Sequence, residues 1–336
     1  MTGAQWRMPA ETEPHECTWM AWPSTGYALG ETTADADEAR RAWAAVALAV
    51  AEFEPVRMVV DPVAVTHARK WLGYDVELLE APLDDAWMRD MGPTFVVGPR
   101  GLGAVDWVFN GWGRQSWAHW EKDARIARQV AEWAGAELID STMVNEGGGI
   151  HVDGAGTVLV TETVQLDPGR NPGWRKEDVE RELRRTLGVR DVVWLPRGLT
   201  RDYQEFGTRG HVDIVATMPS PGTVLLHVQP APEHPDFEVT AAIRLALPSR
   251  WRVVELLAPA RLEDGEGPVD HSYVNHLVVN GGVVACTFDD PRDEAALEVL
   301  AAAYPGRKVA GVDARVIFAR GGGIHCITQQ QPKVGS

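Results

Sequence analysis

A glycine-rich segment that occurs twice restricts the folds open to this chain more than any other feature. Residues 146–151 read EGGGIH and residues 320–325 read RGGGIH, so a run of identical residues is shared by the middle and the end of the chain. Each copy lies within a wider pattern of paired apolar strands, which makes chance agreement a poor explanation. An internal repeat of this kind indicates several copies of one supersecondary unit.

The repeating unit is predicted to be a strand pair with a tight turn, then a helix, then another strand. The predicted strand pairs are 94–97 with 104–108, 150–152 with 157–160, 211–217 with 223–226, and 272–279 with 282–287, and the last strand, 323–328, is cut short by the C-terminus. Helical spacing of apolar residues is found at 34–53, 116–134, 175–187 and 292–304, and these are followed by strands at 56–60, 136–139, 191–195 and 308–310. About five such units indicate a radially arranged α/β fold. Asn280-Gly281 predicts a type I′ turn.

Composition indicates one folded domain. The chain has 336 residues, 45% hydrophobic and 24% charged, as in ordinary globular proteins. A linker rich in Ser, Gly or Pro that could divide it is missing, so we predict a single domain over residues 1–336. The cysteines Cys17, Cys286 and Cys326 are few and odd in number, which predicts reduced thiols.

Charge and hydropathy disfavour several classes of protein. The net charge of −16 is spread without a basic stripe, which argues against nucleic-acid binding. Apolar runs are too short for the roughly 18 residues of a membrane span, and the N-terminus lacks the features of a signal peptide, so we expect a cytoplasmic protein. An acidic chain favours a cationic small-molecule substrate, although acidity also serves solubility.

Polar residues at near-even spacing predict a shared site. Asp90, Glu146, His211, Asn275 and Cys326 are separated by 56, 65, 64 and 51 residues. Equivalent positions in repeats arranged around an axis would converge. Residues far apart in sequence would then build one site.

Cys326 is the candidate nucleophile. Three glycines, ending with Gly323, precede it and would let a ligand approach closely. A thiol becomes a good nucleophile when neighbouring cations or a helix end ionise it. The alternative is a buried structural cysteine, which is our interpretation of Cys17 and Cys286.

His211 and Asp213 would share one face of the strand predicted at 211–217. The pair could ligate a metal, hold a substrate cation or form an inert couple. His151 and Asp153 repeat the spacing, but the segment at 325–327 has no second acid, so a metal is the weaker interpretation. His151 and His325 are predicted to be satisfied structural histidines.

Carboxylates and tryptophans could complete a cation site. Asp90 is either a turn cap or, with Asp213, one half of a clamp on a planar guanidinium. Trp87 and Trp112 could wall the cation in. Glu146 is either a turn acid or the group that orients and charges His211.

The motifs resemble those of the agmatine deiminase family, which includes bacterial-type peptidylarginine deiminases and belongs to the guanidino-modifying enzymes. The resemblance rests on residues 9–23 (PAETEPHECTWMAWP), 87–94 (WMRDMGPT), 146–148 (EGG), 210–213 (GHVD) and 322–330 (GGIHCITQQ). It extends over residues 8–332, with the motifs in the family's order. It implies a five-bladed α/β propeller of ββαβ repeats with pseudo-fivefold symmetry.

The resemblance also implies a role for each residue. Cys326 would be the nucleophile, His211 the general acid and base, and Asp90 and Asp213 the guanidinium clamp, with Glu146 supporting His211. The implied reaction converts agmatine and water to N-carbamoylputrescine and ammonia through a covalent thiouronium, with no cofactor and no metal.

Two residues depart from the agmatine pattern. Arg209 stands where the family has an acid two positions before the histidine, and Ile214 stands where it has an amide. An arginine near the pocket would repel the ammonium of agmatine, so a neutral or carboxylated substrate is one expectation. The other is that Arg209 points to solvent or pairs with Glu205.

Other functions stay open at this point. They are deimination of arginine, of a C-terminal peptidyl arginine or of another carboxylated guanidine, an amidinotransferase, and a non-catalytic guanidine- or polyamine-binding protein. The oligomeric state is left open as well, a homodimer included.

Overall fold

The computed structural model describes residues 6–335, so residues 1–5 and 336 of the predicted domain lie outside the described part. The strands are β1 (His15–Ala21), β2 (Val56–Val60), β3 (Val76–Glu80), β4 (Thr94–Gly98), β5 (Gly101–Val108), β6 (Glu137–Val144), β7 (Ile150–Val152), β8 (Thr157–Thr161), β9 (Asp191–Leu195), β10 (Ala216–Ser220), β11 (Thr223–Val228), β12 (Arg252–Leu257), β13 (Glu263–Asp264), β14 (Gly267–Pro268), β15 (Leu277–Val279), β16 (Gly282–Thr287), β17 (Lys308–Asp313) and β18 (Thr328–Pro332). The helices are α1 (Thr33–Ala51), α2 (Val65–Leu72), α3 (Met88–Met91), α4 (Gly111–Arg114), α5 (Ile126–Trp133), α6 (Glu162–Gln165), α7 (Lys176–Leu187), α8 (Asp236–Ala246), α9 (Asp293–Ala303) and α10 (Arg315–Phe318). The fold is mixed α/β.

The strands form small sheets with one recurring topology. Four sheets have the orders β4-β5-β6, β7-β8-β9, β10-β11-β12 and β15-β16-β17. In each of them the first pair is antiparallel and the second is parallel. The parallel pair needs a crossover, which α5, α7, α8 or α9 supplies.

A fifth sheet joins the two ends of the described chain, and β13 and β14 form a separate two-stranded sheet. The order of the fifth sheet is β18-β1-β2-β3, with β1 antiparallel to β18 and parallel to β2. The pattern of the other sheets is therefore kept, except that the first strand comes from the end of the sequence. The predicted strand at 323–328 is corrected accordingly, because residues 323–327 form a turn and the strand begins at Thr328.

Local sequence explains where the long helices begin and end. In α1 the hydroxyl of Thr32 accepts from the Asp35 N–H at 3.1 Å, and the Asp35 carboxylate accepts from the Thr32 N–H at 2.9 Å. This reciprocal pair satisfies amides that the first turn leaves free. Helix α7 ends at Gly188, whose φ of +69° suits a left-handed C-terminal cap.

Several predicted elements had wrong bounds. The helix predicted at 116–134 is α5 alone, preceded by a 3₁₀ turn. The turn at Asn280-Gly281 is not type I′, because Gly281 has a φ of +73° whereas Asn280 is not among the positive-φ residues. Instead, the Asn280 side chain bonds the His15 backbone at 2.9 Å in both directions. The elements that the prediction missed include α2, α8, β1, β3 and β12.

The strand predicted at 211–217 is also wrong at its start. His211 precedes a 3₁₀ turn over Val212–Ile214, and β10 begins only at Ala216. Alternating apolar residues imitated a strand there. The Asp202 carboxylate instead binds the backbone N–H groups of Gly210 at 2.6 Å and His211 at 3.1 Å, which holds the segment as a turn.

No helix within residues 6–335 combines the length and the apolar character that crossing a bilayer requires.

Candidate active site

The five evenly spaced residues lie together, each just before the first strand of a different sheet. Asp90 precedes β4, Glu146 precedes β7, His211 precedes β10, Asn275 precedes β15 and Cys326 precedes β18. All five are buried. Equivalent positions in the repeating unit therefore converge.

Cys326 lies against an amide and a carboxylate. Its Sγ is 3.4 Å from Asn275 Nδ2 and 3.7 Å from Asp213 Oδ2, and the residue is 3% exposed. Burial, followed by the carboxylates of Asp213 and Asp90, raises the pKa of the thiol well above its usual value. The charged groups that act most strongly on the thiol are therefore carboxylates, which oppose its ionisation, and not the expected cations.

His211 is held by one of its two ring nitrogens. Nε2 lies 3.2 Å from Glu146 Oε2, and Nδ1 lies 3.8 Å from Asp90 Oδ1, too long for a hydrogen bond. Burial lowers the pKa of His211, but Asp90 and Glu146 outweigh burial and raise it to about 9. The imidazole is therefore protonated at neutral pH.

Glu146 is fixed by an arginine that the sequence analysis did not identify. Arg170 Nε lies 3.0 Å from both Glu146 oxygens, and its NH1 lies 2.9 Å from Asp167 Oδ2. Its NH2 donates to the Thr208 carbonyl at 2.7 Å. In the sequence, a lone arginine in a loop belongs to no pattern that would identify it as a site residue. In the structure, its full burial identifies it.

Asp90 accepts hydrogen bonds from two directions. The Trp112 indole N–H donates to Oδ2 at 2.8 Å, and the Gly148 N–H donates to Oδ1 at 3.1 Å. Burial is the largest of the effects that raise the pKa of Asp90 to about 6. A Cβ at Gly148 would lie 2.4 Å from His211 Nδ1, so glycine is needed for this close approach.

Asp213 has one bonded oxygen and one unbonded oxygen. His325 Nδ1 donates to Oδ2 at 2.7 Å, whereas no group in the described part of the chain bonds Oδ1. His211 Nδ1 is likewise buried without a partner among residues 6–335. Buried polar atoms without partners are costly, and a catalytic role is one explanation for them.

A small cavity of about 10 Å³ adjoins Cys326. Its walls are Trp87, Asp90, Trp112, Trp117, Phe206, Thr208, Arg320 and Gly321. Both predicted wall tryptophans are present. Gly323 has another environment, since its Cβ would lie 2.4 Å from Asn275 Oδ1 and 2.6 Å from Phe318.

Arg209 is not among the residues that line the cavity, and its side chain is 39% exposed. Its NH1 contacts Asp167 Oδ2 at 3.2 Å, so its partner is neither solvent alone nor Glu205. Arg320 does line the cavity, but its NH2 is 3.0 Å from the Asp35 carbonyl and 3.5 Å from Glu38. Each of these two arginines therefore already binds a carboxylate of the protein.

Glu11, His151 and His325 offer the only cluster with metal-ligand spacing within residues 6–335. His325 Nε2 already donates to Glu11 Oε1 at 2.8 Å, and Arg89 NH2 lies 3.3 Å from that oxygen. His151 Nε2 bonds Thr217 Oγ1 at 2.9 Å. A cation would have to displace these bonds beside a guanidinium, which argues against ligation.

A buried thiol with an imidazole and two carboxylates clustered near it defines a class of cysteine-dependent enzymes that act on planar cations. The sequence profile of the Porphyromonas-type peptidyl-arginine deiminase family matches residues 7–332. The chain belongs to this family, together with the agmatine deiminases.

Named relatives cover nearly the whole chain. A Streptomyces coelicolor protein named "Putative agmatine deiminase" is 56% identical, covering 97% of this chain and 99% of its own. The agmatine deiminase of Ectopseudomonas mendocina is 39% identical, covering 97% and 95%. The structure of the agmatine deiminase of Enterococcus faecalis catalysing its reaction superposes with a TM-score of 0.90 at 31% identity, covering 99% of each chain.

Proposed function

We propose that this protein hydrolyses the guanidinium C–N bond of agmatine, giving N-carbamoylputrescine and ammonia. The observation that carries the proposal is the unbonded, buried Asp213 Oδ1, on a carboxylate whose other oxygen lies 3.7 Å from the Cys326 sulfur, with Asp90 in the wall of the adjoining cavity. A planar cation rich in N–H donors is what the carboxylates can bind. The relatives named agmatine deiminase support agmatine as that cation.

We further propose that the chain is one domain in which five of its sheets, those that contain β1, β4, β7, β10 and β15, are the blades of a five-bladed propeller. Each of these sheets follows the same antiparallel-then-parallel order, and each is preceded by one of the five site residues. Pairing of β1 with β18 would close the ring. This arrangement accounts for the even spacing of the site residues.

Binding comes first in the proposed reaction. Asp90 and Asp213 hold the guanidinium on two sides, so that its central carbon faces the Cys326 sulfur. Fixing the reacting atoms in this way supplies much of the rate enhancement. Trp87 and Trp112 cover the aliphatic chain, and the faces of Trp117 and Phe206 suit a cation.

The substrate itself helps to ionise the nucleophile. Burial, followed by the carboxylates of Asp213 and Asp90, raises the pKa of the thiol in the free enzyme. A guanidinium between Asp90 and Asp213 offsets their charge and lowers the pKa of the thiol, which loses its proton as the substrate binds. The thiolate therefore forms only with substrate present.

The chemical steps conserve atoms and charge. The Cys326 thiolate adds to the guanidinium carbon, and the His211 imidazolium gives its proton to one amino group, which leaves as ammonia. A thiouronium remains on the sulfur. Neutral His211 then takes a proton from water as the water oxygen adds to the carbon, and the C–S bond breaks to release the ureido product and the thiolate. The proton released with the urea converts ammonia to ammonium.

Substrate charge tests this proposal. We expect kcat/KM for agmatine to exceed that for 4-guanidinobutyrate, its carboxylated counterpart, by at least about tenfold, because the tail carboxylate would enter the same buried site as Asp90 and Asp213. Free arginine and a C-terminal-arginine peptide complete the panel. Ammonia and ureido product are measured together, with Cys326→Ala as the blank. Preference for a carboxylated guanidine contradicts the proposal, and product formation that requires an added amine identifies a transferase.

The pH profile of kcat/KM should be bell-shaped. Asp90 must be ionised to bind the guanidinium, and its pKa is about 6, so activity is lost as pH falls through that value. His211 must be protonated to release ammonia, and its pKa is about 9, so activity is lost as pH rises through that value. Asp90 and His211 are coupled, so the apparent pKa values of the two limbs belong to the pair and not to either residue alone. Circular dichroism at each pH controls for unfolding, and full activity at pH 4.5 would refute the assignment of Asp90.

A further inference from the structure

His325, the residue before Cys326, lies between two buried carboxylates. Its Nδ1 is 2.7 Å from Asp213 Oδ2 and its Nε2 is 2.8 Å from Glu11 Oε1. All three residues are buried. The sequence predicted a histidine with satisfied hydrogen bonds, and these bonds agree with that. It did not predict that one partner would be Asp213, which is half of the proposed guanidinium clamp.

The two contacts specify the protonation of the ring. Ionised carboxylates accept hydrogen bonds and cannot donate them, so a ring that bonds one at each nitrogen must carry both protons. The neutral alternative places a proton on a carboxyl group. Glu11 is a poor site for that proton, because Arg89 NH2 lies 3.3 Å from the same oxygen.

The charged groups packed around His325 favour the same protonation state. Burial and Arg89 lower the pKa of His325, but Glu11 and Asp213 outweigh them and raise it. Although burial opposes it, His325 and Arg89 hold the pKa of Glu11 well below its usual value. Burial lowers the pKa values of His151 and His276 to about 4, so these rings add no positive charge.

We propose that His325, kept as an imidazolium by Glu11, is a positioning residue that orients Asp213 and keeps it ionised before substrate enters. The hydrogen bond occupies Oδ2 and leaves Oδ1 as the oxygen available to the guanidinium. The same residue also supports the nucleophile. Its backbone N–H donates to Asn275 Oδ1 at 3.0 Å, and Asn275 Nδ2 contacts Cys326 Sγ at 3.4 Å. The identity of the substrate in this inference rests on the proposed function, whereas the charge of the ring does not.

Glu11→Gln separates charge from packing. The glutamine keeps an oxygen that can accept from His325 Nε2, but it no longer favours a second proton on the ring. We expect the Kd of agmatine, titrated calorimetrically in the Cys326→Ala background, to rise by about tenfold or more in Glu11→Gln and in His325→Gln. With Cys326 present, KM should rise by a larger factor than kcat falls.

A matched buried histidine provides the control. His276 bonds the Tyr273 carbonyl at 3.0 Å and the Tyr304 hydroxyl at 2.9 Å, with no contact to Asp213. His276→Gln should lower stability and leave the Kd unchanged. Folded Glu11→Gln and His325→Gln proteins that bind agmatine as tightly as the parent would overturn the proposal.

Ring-nitrogen NMR of ¹⁵N-histidine-labelled protein tests the charge directly, even if His325→Gln does not fold. Both nitrogens of His325 should carry protons at pH 7.5 in the parent, and only one in Glu11→Gln. A neutral ring in the parent overturns the inference. A failure of the proposed function would be seen differently, because the parent enzyme would then turn over no guanidine whatever the charge of the His325 ring.

Discussion

Replacing Cys326 with alanine should lower kcat for agmatine by at least about 10⁴-fold, because the substitution removes the nucleophile and leaves only binding and positioning. The variant should still bind agmatine, since Asp90 and Asp213 are untouched. Ammonia release measures the first effect and calorimetric titration the second. Turnover by Cys326→Ala within tenfold of the parent would refute the covalent mechanism.

Cys17→Ala is the matched control for this substitution. Both thiols are buried, and burial raises the pKa of Cys17 to about 12, but its Sγ contacts Gln331 Oε1 at 3.4 Å, away from the cavity. We expect Cys17→Ala to retain activity.

A cationic haloacetamidine should alkylate Cys326 faster than a neutral haloacetamide does, because only the amidinium can replace the substrate's charge between the carboxylates. Equal rates would argue against ionisation by the substrate.

Replacing Arg170 with methionine should lower the free energy of unfolding by about 3–5 kcal/mol, because it removes the fully buried cation that binds both Glu146 and Asp167. Arg170 and Glu146 are both 0% exposed, and Arg170 also binds Asp167. The activity should fall as well, since Glu146 orients His211. Urea denaturation measures the stability, and ammonia release the activity.

Arg209→Met is the matched control, because Arg209 contacts the same Asp167 carboxylate from a site that is 39% exposed. Exposed pairs contribute about 0–1 kcal/mol, so this variant should be close to the parent in stability and in agmatine turnover. Adding Glu146→Gln to Arg170→Met should restore part of the stability without restoring activity. Equal destabilisation by the two arginine substitutions would show that burial of the pair is not the cause.

Prediction from sequence was most successful where the information is local. The strand pairs of β4 with β5 and β7 with β8, and helices α7 and α9, follow from apolar periodicity and turn residues, which act over a few positions. It was weakest where a distant side chain decides the conformation. The turn at His211 depends on the Asp202 carboxylate, and β1 depends on β18 at the other end of the chain.

The repeat, the family and the five evenly spaced site residues can all be read from the amino-acid sequence, because each leaves a pattern of residue types at regular distances. The partners of those residues cannot. Arg170 on Glu146, His325 between Glu11 and Asp213, and Arg209 on Asp167 are pairings of single charges with no periodic signature. Packing alone sets such distances, and in a buried, weakly screened interior an ångström decides which carboxylate a cation binds and which group carries the proton.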